Sequence, residues 1–232
     1  MPVFMRNAIL AGLAAAVMLA AAPAIAQLDQ ISSREAVAGL RAALEKGSQA
    51  AVASLGRVDG FFGNPQLKIP LPESLQRTER LMRRVGMGRY ADELILGLNR
   101  AAEAAVPEAR QLLLDSVKKM TVQDAKGILS GGDTAATEYF RRTTQDALRK
   151  RFLPIVKQAT SRVDLAGKYN QYADTAASLG LIRKEDANLD GYVTQKALDG
   201  LYFMVAEEEK KIRKDPVGAA SAIVRKVFGA LQ

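Results

Sequence analysis

Histidine and cysteine are both absent from the 232 residues, which removes the usual general base, the thiol nucleophile and most zinc sites. The chemistry left to this chain is that of carboxylates and guanidinium groups. Asp92/Glu93 and Glu207/Glu208/Glu209 bring acids together, and two carboxylates suffice for glycoside hydrolysis. On amphipathic helices such pairs are more often solvated surface, so we expect no catalytic residue. A carboxylate-dependent hydrolase acting on an envelope polymer is the alternative. The sharpest local pattern is DANLDGYVT at residues 186–194: Asp186, Asn188 and Asp190 take the first, third and fifth places of a calcium loop, Gly191 the sixth and Thr194 the ninth. The twelfth place, which should hold a bidentate glutamate, is Ala197 beside Lys196. We therefore read Asn188 or Asp190 as a helix cap and expect no metal and no cofactor. A weak calcium-binding structural protein stands as a further alternative.

Arginine gives the other candidate chemistry. Arg77, Arg80 and Arg84 fall at i, i+3 and i+7 and so share one helical stripe, with Arg83 beside it. Arg141, Arg142, Arg149, Lys150 and Arg151 form a second concentration, and around Tyr139, Phe140, Arg141 and Arg142 aromatic and guanidinium groups adjoin the hydroxyls of Thr143 and Thr144. Guanidinium groups arranged this way can hold phosphates in bidentate fashion. Glu79 and Glu138 interrupt both stretches, which also suits a partly self-paired, solvated face. The formal net charge is +8.

The elements that must position these residues follow from periodicity. Residues 1–26 stand apart: Arg6, an alanine-rich apolar run over 8–22 and Ala24-Ile25-Ala26 make the three parts of a secretory signal peptide. Export without any cysteine implies a soluble periplasmic protein with neither a lipid-attachment cysteine nor a disulfide, and with no transmembrane segment once the leader is removed. It also redirects the basic balance away from nucleic acid and toward anionic lipid, lipopolysaccharide or an envelope protein. Residues 27–232 read as one all-α domain, a bundle of about seven or eight helices around a long central helix near residues 190–214. In that helix Val193, Ala197, Leu201, Met204 and Val205 recur at helical spacing, while the Glu207/Lys211 and Glu209/Arg213 pairs suggest that its last turns project into water.

The other elements are read from stripes and punctuation. Val37, Leu40, Leu44, Ala51 and Leu55 keep one stripe after the capping box Ser32-Ser33-Arg34-Glu35. Periodicity stops over residues 57–72, where Phe61 and Phe62 would pin a loop to the core. A helix after Pro72 should turn Leu75, Thr78, Met82 and Val85 inward and its arginines outward. Pro107 opens another helix, Thr121 caps a short one, Asp133 caps a longer one that Pro154 kinks or restarts, and further helices are expected over 165–179 and 217–231.

Several blocks then agree in order and register: IPLPESL at 69–75, GMGRYADEL at 86–94, NRAAEAAVPEA at 99–109, GGDTAATEYFRRTT at 131–144 and YVTQKALDGLYFMVAEEEKKIR at 192–213. Together they resemble the family known as domain of unknown function 4197, exported bacterial proteins of helical fold. The resemblance implies that fold and brings no established activity, cofactor or catalytic residue.

Overall fold

The stripes read from the sequence become helices, and the computed structural model describes them for residues 33–162 and 188–215. The expected leader, the helices expected over 165–179 and 217–231, and Asp186 lie outside these described residues. Within them the chain forms α1 (Ser33–Leu55), α2 (Glu73–Arg84), α3 (Gly88–Ala105), a 3-10 turn (Val106–Glu108), α4 (Ala109–Lys119), α5 (Val122–Leu129), α6 (Ala135–Thr160) and α7 (Leu189–Lys214). No strand occurs among the described residues, so the chain there is all-α.

Helix α7 lies against α6, α1 and α3 because its apolar residues cover more than one side. Val193, Ala197, Leu198, Leu201, Tyr202 and Val205 are all buried. Two expected weak points leave their helices continuous. Gly47 and Ser48 leave α1 unbroken, and a Cβ at Gly47 would meet Ile212 at 3.5 Å and Glu208 at 3.6 Å in ordinary van der Waals contact. Pro154 sits inside a continuous α6, which neither stops nor restarts there.

The loop over 57–72 is tied down from α3 by two polar side chains one turn apart. Asn99, fully buried, accepts from the Ile69 amide (2.8 Å) and donates to the Ile69 carbonyl (2.9 Å). Glu103 accepts from the amides of Phe61 (3.0 Å) and Phe62 (3.1 Å), and Arg100 donates to its other oxygen (2.6 Å). Backbone groups that leave water must find partners, and here α3 supplies them. Phe61 can then fill the core, which is the pinning role expected of it.

Helix α6 begins differently from expectation. Asp133 does not cap it, and Thr134 at the N-cap makes no side-chain cap bond. Glu209 of α7 does that work from 72–73 residues away: its carboxylate accepts from the amides of Ala136 (3.0 Å) and Thr137 (2.9 Å) and from the Thr137 hydroxyl (2.9 Å). An anion at a helix N-terminus meets both unsatisfied N–H groups and the positive end of the dipole. Arg213 pairs with Glu209 at 2.8 Å and donates to the Ile128 carbonyl at 2.9 Å. The last turns of α7 therefore do not simply project into water. The Glu209/Arg213 pair is buried or nearly so, and Glu207 and Glu208 pair with Lys210 and Lys211 at i+3.

Candidate functional site

Helix α2 is the element that stands out from the packing, because none of its residues is buried. Leu75 and Met82 are half-buried toward the body, whereas Thr78 and Val85, expected inward, are exposed. The helix ends where its sequence says it should. Gly86 takes a left-handed φ of 79°, which glycine adopts without steric cost. The Met87 amide returns to the Met82 carbonyl (2.8 Å) and the Gly86 amide to that of Arg83 (3.3 Å), the bond pair of a Schellman close. This sharp turn sends the chain into α3.

Arg83 fixes the hairpin shut. It reaches Glu79 on its own helix (3.0 Å) and Asp92 on α3 (2.6 Å). The guanidinium holds the Asp92 carboxyl below its ordinary value near 3.8. Arg89 likewise pairs with Glu93 at 3.0 Å. Arg77, Arg80 and Arg84 are exposed on the opposite, outward side and have neither hydrogen bond nor ion pair. The expected stripe is thus present, and its three charges face solvent without partners, while the fourth arginine is spent on holding the hairpin.

Apolar side chains accompany these cations, among them Val85, which periodicity sent inward, and Leu81, which it passed over. Leu81 is 60% exposed and Val85 62%, and Met87 and Tyr90 at the turn are 48% and 50% exposed. Leu81 follows Arg77 by four residues and precedes Arg84 by three, so the three share one surface strip. Their legibility in the sequence was limited, because an apolar residue in an amphipathic helix is assigned inward by default.

The second basic concentration separates in three dimensions. Tyr139 is buried and its hydroxyl donates to the Ser116 carbonyl (2.8 Å), while Phe140 is wholly core. Arg141 lies 4.6 Å from the Tyr202 ring centroid, and Arg142 lies 5.6 Å from that of Tyr139 and 3.3 Å from Asp124. Burial pushes the Tyr202 hydroxyl above its ordinary value. The two arginines thus cover the outer edges of core aromatics. Beside them is a cleft of about 440 Å³ lined by Asp124, Ile128, Ala135, Glu138, Tyr139 and Arg142, which mixes apolar and polar groups and both signs of charge.

At the calcium-like stretch, Asn188 accepts from the Gly191 amide (3.0 Å) and caps α7. Asp190 is buried and takes the Thr160 hydroxyl as a donor. Thr194 is buried too, with its hydroxyl oxygen unpartnered. Among the described residues no three carboxylates cluster in a way that would hold a metal ion. The acidic pairs are similarly engaged: Asp92, Glu93, Glu207, Glu208 and Glu209 each have a cationic partner. A general acid needs its pKa raised, and that of Asp92 is lowered.

Fold and site together define an all-α protein with an amphipathic hairpin whose outward side is cationic and partly apolar. A family model described as protein of unknown function (DUF4197) matches residues 30–229, and the chain belongs to that family. No curated protein and no solved structure matches it. No helix among the described residues is long and apolar enough to cross a membrane.

Proposed function

We propose that the protein is an exported, non-catalytic component of the cell envelope that binds an anionic partner, whether lipid, lipopolysaccharide or another envelope protein, through the outward side of α2. The protein is a single domain in this reading, a bundle of seven or eight helices organised around α7, with α2 as its projecting contact. The observation that carries the reading is that Arg77, Arg80 and Arg84 lie exposed on one strip and without partners, on a helix that contributes no buried residue to the core. Export is supported by Arg6, the apolar run after it and Ala24-Ile25-Ala26.

Replacing Arg77, Arg80 and Arg84 together with glutamine tests this reading, because glutamine and arginine have similar helix propensity and the fold should survive. Each arginine near an anionic surface contributes on the order of 1 kcal/mol at low ionic strength. The triple variant should bind anionic vesicles or lipopolysaccharide roughly two orders of magnitude more weakly than wild type. Undiminished binding by the variant would place the anion site elsewhere and overturn the reading.

A further inference from the structure

We propose that the α2–α3 hairpin is a peripheral docking surface for an anionic lipid bilayer, with Leu81, Val85, Met87 and Tyr90 entering the headgroup layer while Arg77, Arg80 and Arg84 hold lipid phosphates. This rests on the anion-binding reading above and narrows its partner to one class. The argument begins with position. Leu81 stands among the three arginines on the outward strip, Val85 follows one turn later, and the left-handed turn at Gly86 carries Met87 and Tyr90 to the same end of the hairpin. All four are about half exposed or more, on or just beyond a helix that buries none of its residues and packs half-buried Leu75 against the core. Single exposed apolar residues are ordinary, but a contiguous group rimmed by charge marks an interaction surface.

Charge complementarity then selects the occupant. A soluble polyanion would use the arginines and leave the four apolar side chains without a role. A bilayer uses both: arginine stems lie along apolar surface while their guanidinium groups reach phosphate. A tyrosine ring suits the boundary between headgroups and acyl chains. A helix with one apolar and cationic side, lying in the interface plane, binds by buried apolar area together with attraction to anionic lipid. Glu73 is the acid on this side, and it stands at the helix N-terminus, about two turns before Leu81. Glu79 and Asp92 are turned to Arg83, and Glu93 to Arg89, so each of these three acids is engaged by an arginine within the hairpin.

The test compares the full chain with its Leu81→Ser/Val85→Ser variant, both purified from the soluble fraction, on phosphatidylglycerol vesicles and on inorganic polyphosphate. Both positions are exposed, so the variant should keep its fold and helical circular dichroism. The expected result is a loss of about tenfold or more toward vesicles, equivalent to ~1.4 kcal/mol, with polyphosphate binding unchanged. The chain contains no tryptophan, so Tyr90→Trp gives a single reporter whose emission should shift to the blue on vesicles and be quenched by lipids brominated on their acyl chains. Equal vesicle binding by both proteins, an equal loss toward both probes, or an unshifted indole emission from the Tyr90→Trp variant would overturn bilayer docking while leaving anion binding in place. A wild-type chain that binds neither probe would overturn both readings.

Discussion

Glu209 shows how a single side chain can hold two distant elements in place. Its carboxylate closes the N-terminus of α6, and Arg213 beside it reaches the C-terminal carbonyl of Ile128 on α5. Removing one partner of such a buried pair leaves the other charge and two amides without compensation. Glu209→Ala should therefore lower unfolding stability by about 3 kcal/mol, measured by urea denaturation. A change under about 0.5 kcal/mol, the range of ordinary surface substitutions, would show that the clamp is ornamental. Nothing in the sequence gives Glu209 this role over Glu207 and Glu208, since the amides that donate to it lie 72–73 residues away. Asn99 and Glu103 were hidden for the same reason: each is a polar residue in a helix, and only the folded loop shows what it binds. Asn188, whose capping bond falls three residues on, and Phe61, an aromatic in a stretch without helical periodicity, were legible beforehand.

At the scale of elements, two glycines in helices predict opposite outcomes for the same substitution. A Cβ at Gly200 of α7 would lie 2.5 Å from the Phe61 ring, so Gly200→Ala must displace a fully buried aromatic and the loop it anchors. Overpacking of this kind costs about 1–3 kcal/mol, more than the ~1 kcal/mol gained in helix propensity. Gly127 of α5 has nothing within 4 Å of the same position, so Gly127→Ala should stabilise by about 0.5–1 kcal/mol. Thermal melts that moved both variants in one direction would contradict this picture of the α7–loop contact. The short helix α5 also carries a titration. Thr121 and Asp124 form a reciprocal capping box, and the Thr121 hydroxyl and amide hold the Asp124 carboxyl below its ordinary value near 3.8. A lowered folded pKa adds stability that is complete above 3.8 and is lost as pH falls through the lower folded value. Thr121→Ala should cost about 1 kcal/mol near neutral pH and flatten the decline below pH 3.8, readable in urea midpoints taken across that range. An unaltered acid profile would remove the box from the account.

For the whole molecule, helical class was legible because periodicity carries through the chain, and Leu201 shows the depth of the packing. It is fully buried, and Leu201→Asp should abolish cooperative unfolding, since an unpaired charge among packed helices costs several kcal/mol. The candidate site was legible only by half. Spacing alone put Arg77, Arg80 and Arg84 on one strip, but the same periodicity sent Val85 inward and passed over Leu81, because sequence cannot say that α2 has too little body beneath it to bury an apolar side. The Tyr139–Arg142 stretch divides because adjacent residues on a helix point in different directions: Tyr139 and Phe140 went to the core while Arg141 and Arg142 covered its edge. The central claim, electrostatic attachment through the free arginines, is tested most directly by wild-type binding to phosphatidylglycerol vesicles at two salt concentrations. Between 0.01 M and 0.15 M the Debye length shrinks from about 30 Å to about 8 Å. Binding should weaken by about tenfold or more, approaching that of the Arg77→Gln/Arg80→Gln/Arg84→Gln variant, as each arginine's contribution of ~1 kcal/mol is screened. Equal affinity at both concentrations would contradict the claim.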